Sequence, residues 1–275
     1  MARGRSLLTI SDFQRALKNQ YGLGSGGRYK PWLRVQDVPS QGTSAKIQGI
    51  KTGRVHHLFS EGESCCFFQA EFLERVVDIR EQFPLLPLPL CMGIAELLGI
   101  HYPRIPSTST PVVMTTDLLL TCQEGNKTWY EAISVKQEDS LHDKRVAEKL
   151  DIERIWWELM GVPFTVFVPS VISKIQSKNI EWATSPLRQE IEIADSSLRM
   201  VLPHLSIGTA LVSEICDHFS SILAVSPGDA LQVFRCLIAN KCIKVDLQNS
   251  IPDSGIVTIF QVNYPRSAAE VHNEH

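Results

Sequence analysis

Apolar positions along the first 170 residues alternate between helical and strand spacing. Residues 11 to 20 predict a short helix, and Ser60-Glu61-Gly62-Glu63 opens another running to about Arg75, with Glu63, Phe67, Ala70 and Glu74 on one face. Leu85 to Leu90 ends a strand, Cys91 to Ile100 predicts a short apolar helix, and a proline-punctuated loop follows to Pro111. Val112 to Leu120 and Glu131 to Lys136 predict two strands joined by the turn Gln123-Glu124-Gly125-Asn126-Lys127. A long helix from about Ser140 to Met160 stops at Gly161, and Pro163 to Val168 is a short apolar run typical of a buried strand. Helix, strand, hairpin, helix, strand is an α/β order, and it brings Glu63, Asp117 and Lys136 to a shared edge of one mixed sheet.

Beyond that block the pattern changes. Residues 170–186 predict a polar, helical connector, with Pro186 marking the start of a second domain. Helices are expected at about 187–202, 208–223 and 227–240, then strands at 242–247 and 256–262. Three helices and a terminal hairpin fit a winged helix. The expected organisation is a basic arm and short helix over 1–60, a catalytic core over 61–169, the connector, and a winged-helix-like domain over 187–275.

The first block admits a hydrolytic reading beside a structural one, in which an Asp ends a strand and a lysine is simply exposed. Asp117 sits on one strand and Lys136 near the end of the next. A carboxylate can hold a hard divalent cation against a phosphate, while an ammonium can position water and steady developing charge. Glu63 has two readings, because Ser60 and Glu63 also form the Ser-x-x-Glu pattern of a capping box. Strand parity puts Ala132, Ser134, Lys136 and Glu138 on one face and Glu131 and Val135 on the other, which makes Glu131 a poor ligand.

Charge distribution sharpens the picture. The net charge of -3 argues against a broadly basic DNA-binding protein, yet residues 1–60 hold 10 of the 27 Lys and Arg and 2 of the 30 Asp and Glu. That segment is a candidate phosphate-contacting surface. Gly22-Leu23-Gly24-Ser25-Gly26-Gly27 lacks the Lys-Ser or Lys-Thr ending of a phosphate loop and is expected to be a flexible hinge. His56 and His57 are expected to be partly exposed structural histidines. The seven scattered cysteines suit reduced thiols, and Cys216, His218, Cys236 and Cys242 lack zinc-knuckle spacing. No apolar run is long enough to span a bilayer, so a cytosolic protein is expected.

Several ordered runs resemble the TnsA family, the endonuclease subunits of heteromeric transposases. They are Tyr29 to Ser40, Lys51 to Leu58, Val77 to Pro87, Met114 to Asp117 and Glu148 to Arg154. The resemblance implies an α/β restriction-endonuclease-like domain and a mostly α, winged-helix-like carboxy-terminal domain. Its catalytic positions fall on Glu63, Asp117, Ser134 and Lys136, with Ser134 departing from the Gln or acid found elsewhere. A short neutral serine leaves the cation to Glu63, Asp117 and the Val135 carbonyl.

Within the Glu148–Arg154 match, Glu153 could support Lys136, but a solvated helix face is the expected reading. The implied activity is magnesium-dependent hydrolysis, with manganese able to substitute, of the 5′-end, non-transferred strand of double-stranded DNA at transposon ends. The implied partners are the transposase TnsB and the ATP-dependent regulator TnsC, in the bacterial cytoplasm and nucleoid-associated when active. The alternative is a catalytically weakened adaptor bridging TnsB and TnsC, which Ser134 alone favours.

Overall fold

In a computed structural model that describes residues 5–37, 43–106 and 108–263, the chain divides into two units, Met1–Ser170 and Val171–His275. Part of the basic arm, including the matched Val38-Pro39-Ser40, lies outside the described residues.

The first unit opens with α1 (Ile10–Lys18), capped reciprocally by Thr9 and Asp12. The antiparallel hairpin β1 (Ala45–Gln48) and β2 (Val55–Leu58) precedes α2 (Glu61–Phe72). Next come β3 (Val76–Pro84), α3 (Leu88–Leu97), β4 (Thr115–Glu124), β5 (Lys127–Val135), α4 (Lys144–Leu159) and β6 (Phe164–Phe167). One mixed sheet runs β3-β4-β5-β6: the first three strands are antiparallel, and α4 carries the chain across so that β6 lies parallel to β5. Leu119 and Ala132 on one sheet face pack with Cys91, Ile94, Ile152, Trp156 and Trp157 from α3 and α4. α2 ends at Phe72, leaving Glu74 outside the helix. α4 starts later than expected because the Asp143 carboxylate accepts from the amides of Arg145 (2.6 Å) and Val146 (3.3 Å).

The glycine-rich stretch is not a hinge. The Gly22 amide donates to the Lys30 carbonyl at 2.6 Å, and a Cβ on Gly22 would lie 2.4 Å from Pro84 Cγ. Tyr29 and Trp32 are buried, so the segment after the glycines is packed chain.

The second unit comprises α5 (Val171–Arg188), α6 (Asp195–Val201), β7 (Gly208–Leu211), α7 (Val212–Leu223), α8 (Pro227–Ala239), β8 (Ile243–Val245), α9 (Ile251–Ser254) and β9 (Ile256–Val262). Its antiparallel sheet has the order β7-β9-β8. The expected connector is instead this unit's first helix, and its Asn179 side chain is fully buried. Asn179 donates to the carbonyls of Leu247 (2.9 Å) and Asn249 (2.8 Å) and accepts from the Ile251 amide (2.9 Å). The helix expected over 187–202 shrinks to α6, and the first residues of the 208–223 segment are strand β7. Among the described residues no single helix is long and apolar enough to cross a membrane.

A buried carboxylate ties the β1–β2 hairpin to the sheet. Glu81 on β3 accepts from Arg54 Nη1 (2.8 Å) and Nη2 (2.6 Å), and from the His57 amide (3.1 Å). His56 Nδ1 lies 2.8 Å from its Oε2, and His56 Nε2 lies 2.8 Å from Thr52 Oγ1. His56 is therefore fully buried, against expectation, and only His57 is partly exposed. Burial opposes the Glu81 charge, but His56 and Arg54 outweigh it and hold the pKa down to about 2. A depressed folded pKa contributes stability that is complete above the ordinary value of 4.5 and lost as pH falls through about 2. Glu81→Gln should therefore lower stability by about 3 kcal/mol at pH 7, and that difference should close between these two pH values. Thermal melts of both proteins across this acid range provide the measurement.

Candidate active site

Strands β4 and β5 pair down to Leu118 opposite Ile133. Below that rung the Val135 amide donates to Asp117 Oδ2 at 2.7 Å, so a side chain takes over from the main-chain ladder. The same oxygen accepts from Lys136 Nζ at 3.3 Å. Lys136 Nζ also donates to Ser134 Oγ (3.2 Å) and to the Val135 carbonyl (2.8 Å). An ammonium carries three hydrogens, so all three are engaged.

Glu63 reaches this group from the first turn of α2. Gly62 allows the approach, since a Cβ there would lie 3.0 Å from Pro169 Cγ and 3.1 Å from Val135 Cγ1. Both readings of Glu63 hold together. Its amide donates to Ser60 Oγ (3.1 Å), while its carboxylate accepts from Ser60 Oγ (3.2 Å) and the Phe59 amide (3.0 Å). The carboxylate also accepts from Gln82 Nε2 at 3.3 Å, and that amide nitrogen lies equally far from Asp117 Oδ1. Gln82 thus links the two acids.

Glu153 is not on a solvated face. It is 4% exposed and accepts from Thr116 Oγ1 (2.6 Å) and Ser134 Oγ (3.0 Å). Thr116 Oγ1 in turn accepts from the Trp157 indole at 2.7 Å. Ser134 therefore spends its hydrogen on Glu153, with Asp117 Oδ2 further off at 3.5 Å, and accepts from Lys136. Glu131, as parity required, points elsewhere and bonds Arg75 and Trp129. Glu153 and Gln82 are the two site residues that sequence reasoning set aside or missed.

Burial, then the charge of Asp117, push the Glu63 carboxyl up to about 8 and the Glu153 carboxyl up to about 7. Burial works against the Lys136 charge, but Asp117 and Glu153 outweigh it and hold its pKa above the usual lysine range. The site opens to solvent at Asp117 and Lys136, whose side chains are 14% and 27% exposed.

Among the described residues no group of three or more His, Cys, Asp or Glu side chains is disposed to hold a metal. Magnesium takes only one or two carboxylates, completing its shell with water and substrate phosphate. Glu63 and Asp117, two hard oxygen donors joined by one amide, fit that demand. The Val135 carbonyl accepts from Lys136 Nζ at 2.8 Å, which leaves one of its two lone pairs for another partner.

The basic amino-terminal segment is partly spent inside the fold. Arg5 and Arg34 pair with Asp37, Arg54 pairs with Glu81, and Lys51 donates to the carbonyls of Leu73 and Val76. Lys18, Arg28, Lys30 and Lys46 are exposed and remain candidates for phosphate contact.

Comparison with known proteins gives two family matches, TnsA-like endonuclease N terminal over residues 73–168 and TnsA endonuclease C terminal over residues 172–247. The gap between them falls at the boundary between the two structural units. Gln82, Asp117, Ser134, Lys136 and Glu153 lie in the first match, and Glu63 precedes it. The chain is 36% identical over 252 residues to the transposon Tn7 transposition protein TnsA of Escherichia coli, covering 91% of each.

The raised Glu153 pKa gives a signed expectation. A carboxyl whose folded pKa is raised contributes stability that is complete below its ordinary value of 4.5 and lost as pH rises through about 7. Glu153→Gln should therefore be more stable than the parent at pH 8, by on the order of 2 kcal/mol, with the gain vanishing toward pH 4.5. Metal-free denaturant titrations at the two pH values check it.

Proposed function

The chain belongs to the TnsA endonuclease family, and from that membership we propose that it hydrolyses the 5′-end, non-transferred strand of DNA at transposon ends, using magnesium held by Glu63 and Asp117. The observation that carries this reading is the Asp117 carboxylate, which accepts from Lys136 and Val135 and shares Gln82 with Glu63. When bound, magnesium supplies charge neutralisation at the scissile phosphate and a water of lowered pKa. Manganese, with similar oxygen preference, should substitute.

Lys136 orients the attacking water and steadies the charge that develops on the phosphate oxygens. To do so it exchanges one of its three internal bonds for one to water or substrate. Ser134 sits between Lys136 and Glu153, so Glu153 fixes the lysine through the hydroxyl rather than by touching substrate. Ser134 therefore needs no direct role as a ligand. Its replacement of Gln or an acid is weak support for an adaptor that bridges partners without cutting. The exposed Lys18, Arg28, Lys30 and Lys46 are the phosphate contacts we assign to the amino-terminal segment.

We further infer that the second unit is a winged helix that docks a protein partner, the TnsC regulator, while the transposase TnsB handles the 3′ ends. Its strand order and its order of helices and strands support this reading. The helix that would enter a DNA groove, α8, carries Arg235 as its one basic residue. Arg235 donates to the Trp182 carbonyl at 2.6 Å and lies 5.2 Å from that indole ring, which turns its charge into the unit.

The test is strand-specific cleavage of a labelled transposon-end duplex with TnsB, TnsC and magnesium. Asp117→Ala and Lys136→Ala should each reduce 5′ cutting at least about 100-fold while 3′ joining persists. Undiminished 5′ cutting by both variants would defeat the assignment, and a parent protein that supports joining without 5′ cuts would favour the adaptor.

A further inference from the structure

We propose that Gln82 is a positioning residue whose side-chain amide holds Glu63 and Asp117 at the separation from which they share a divalent cation. The proposal rests on the metal-holding reading given above and adds to it the residue that sets the geometry. Gln82 lies on β3 between the pairs Glu81–Leu118 and Phe83–Thr116 and is 4% exposed. Its amide nitrogen lies 3.3 Å from Glu63 Oε2 and 3.3 Å from Asp117 Oδ1. Two amide hydrogens thus serve two carboxylates that belong to different elements.

The orientation of that amide is set by its other end. Gln82 Oε1 accepts from Thr115 Oγ1 at 2.9 Å. A flipped amide would turn its oxygen toward two acceptor-only carboxylates. The backbone is held as well. Gln82 has a φ of 50°, in the left-handed region that a residue with a side chain enters only at a cost. Its carbonyl accepts from the Trp32 amide at 3.2 Å, and Trp32 is 1% exposed. Extended backbone at this position would carry the side chain away from the acids. The strain is maintained where the side chain bridges α2 to β4, and that bridge is what the strain secures.

Residues that orient metal ligands from behind typically change metal affinity about 10- to 100-fold when replaced. Gln82→Gly removes the amide and suits the left-handed backbone, so it separates the side chain from the strain. Gln82→Met keeps the bulk without a donor.

Binding of manganese alone, measured by electron paramagnetic resonance on the full chain, should weaken at least about 10-fold in both variants, with the thermal midpoint of Gln82→Gly at or above that of the parent. In the full cleavage reaction, the magnesium needed for half-maximal 5′ cutting by Gln82→Gly should rise by the same factor while its maximum approaches the parent's. Manganese affinity within twofold of the parent in both variants, alongside loss of binding in Asp117→Ala, would overturn the positioning role and leave the metal reading intact. Equal manganese binding by parent and Asp117→Ala would overturn the metal reading and this proposal with it. Cutting that excess magnesium cannot restore, together with a lowered melting temperature, would make Gln82 a structural residue and overturn the proposal.

Discussion

The first unit turns on one hydrogen bond, from the Val135 amide to Asp117 Oδ2 at 2.7 Å. Two antiparallel strands that separate leave main-chain groups that need partners, and a buried amide without one is costly. Here β4 and β5 stop pairing after Leu118 and Ile133, and the amide beyond the last rung is satisfied by a side chain. The carboxylate of Asp117 thereby closes the end of the sheet. The parallel pairing of β5 with β6, continued by Lys136 donating its amide to Phe167 O at 3.0 Å, fixes the strand on its other side and delivers the ammonium beside that carboxylate. Fold and site share the same few atoms.

The arrangement opposes stability in a specific way. Glu63, Asp117 and Glu153 stand close together with one ammonium among them, and two of the three are almost wholly buried. Burial and mutual repulsion raise Glu63 and Glu153. Glu81 shows how the same sheet treats a structural acid. It lies a few residues away on β3, is equally buried, and is held near 2 by a guanidinium and an imidazole. The contrast lies in the partners, since burial is common to all three. Acids left short of positive charge in a partly open site can gain from a cation, whereas one saturated by Arg54 and His56 cannot.

Periodicity revealed the strand that carries Asp117, the strand that ends just before Lys136, the helix that carries Glu63, and the α4 crossover, because each is an extended run with one dominant spacing. It failed where a polar residue faces inward. Glu153 has charged neighbours, Asp151 and Arg154, which hid a usable signal: it stands three and four residues before the buried Trp156 and Trp157, on the helix face that turns inward, where the hydroxyls of Thr116 and Ser134 from two strands meet it. Gln82 was invisible because its left-handed backbone interrupts a strand that reads as continuous. The start of the second unit was misplaced for a related reason. Ser173, Ser177, Asn179 and Thr184 gave α5 the composition of a linker, yet they form much of its buried face. The charge asymmetry of residues 1–60 was legible, but not that Asp37 and Glu81 would absorb three of its arginines.

Ser134, where the family resemblance implies Gln or an acid, is tied into the surrounding hydrogen bonds. A longer amide or acid at that point on β5 could extend toward a cation beside Asp117. A serine cannot, and its single hydrogen goes to Glu153. The lone pairs left on Oγ then accept from Lys136, so the hydroxyl becomes the link through which a buried acid acts on the ammonium. Lys136 has three hydrogens, and the third rests on the Val135 carbonyl at 2.8 Å, the shortest of its three bonds. That carbonyl keeps a second lone pair, so the same oxygen would be open to a hard cation with the lysine still in place.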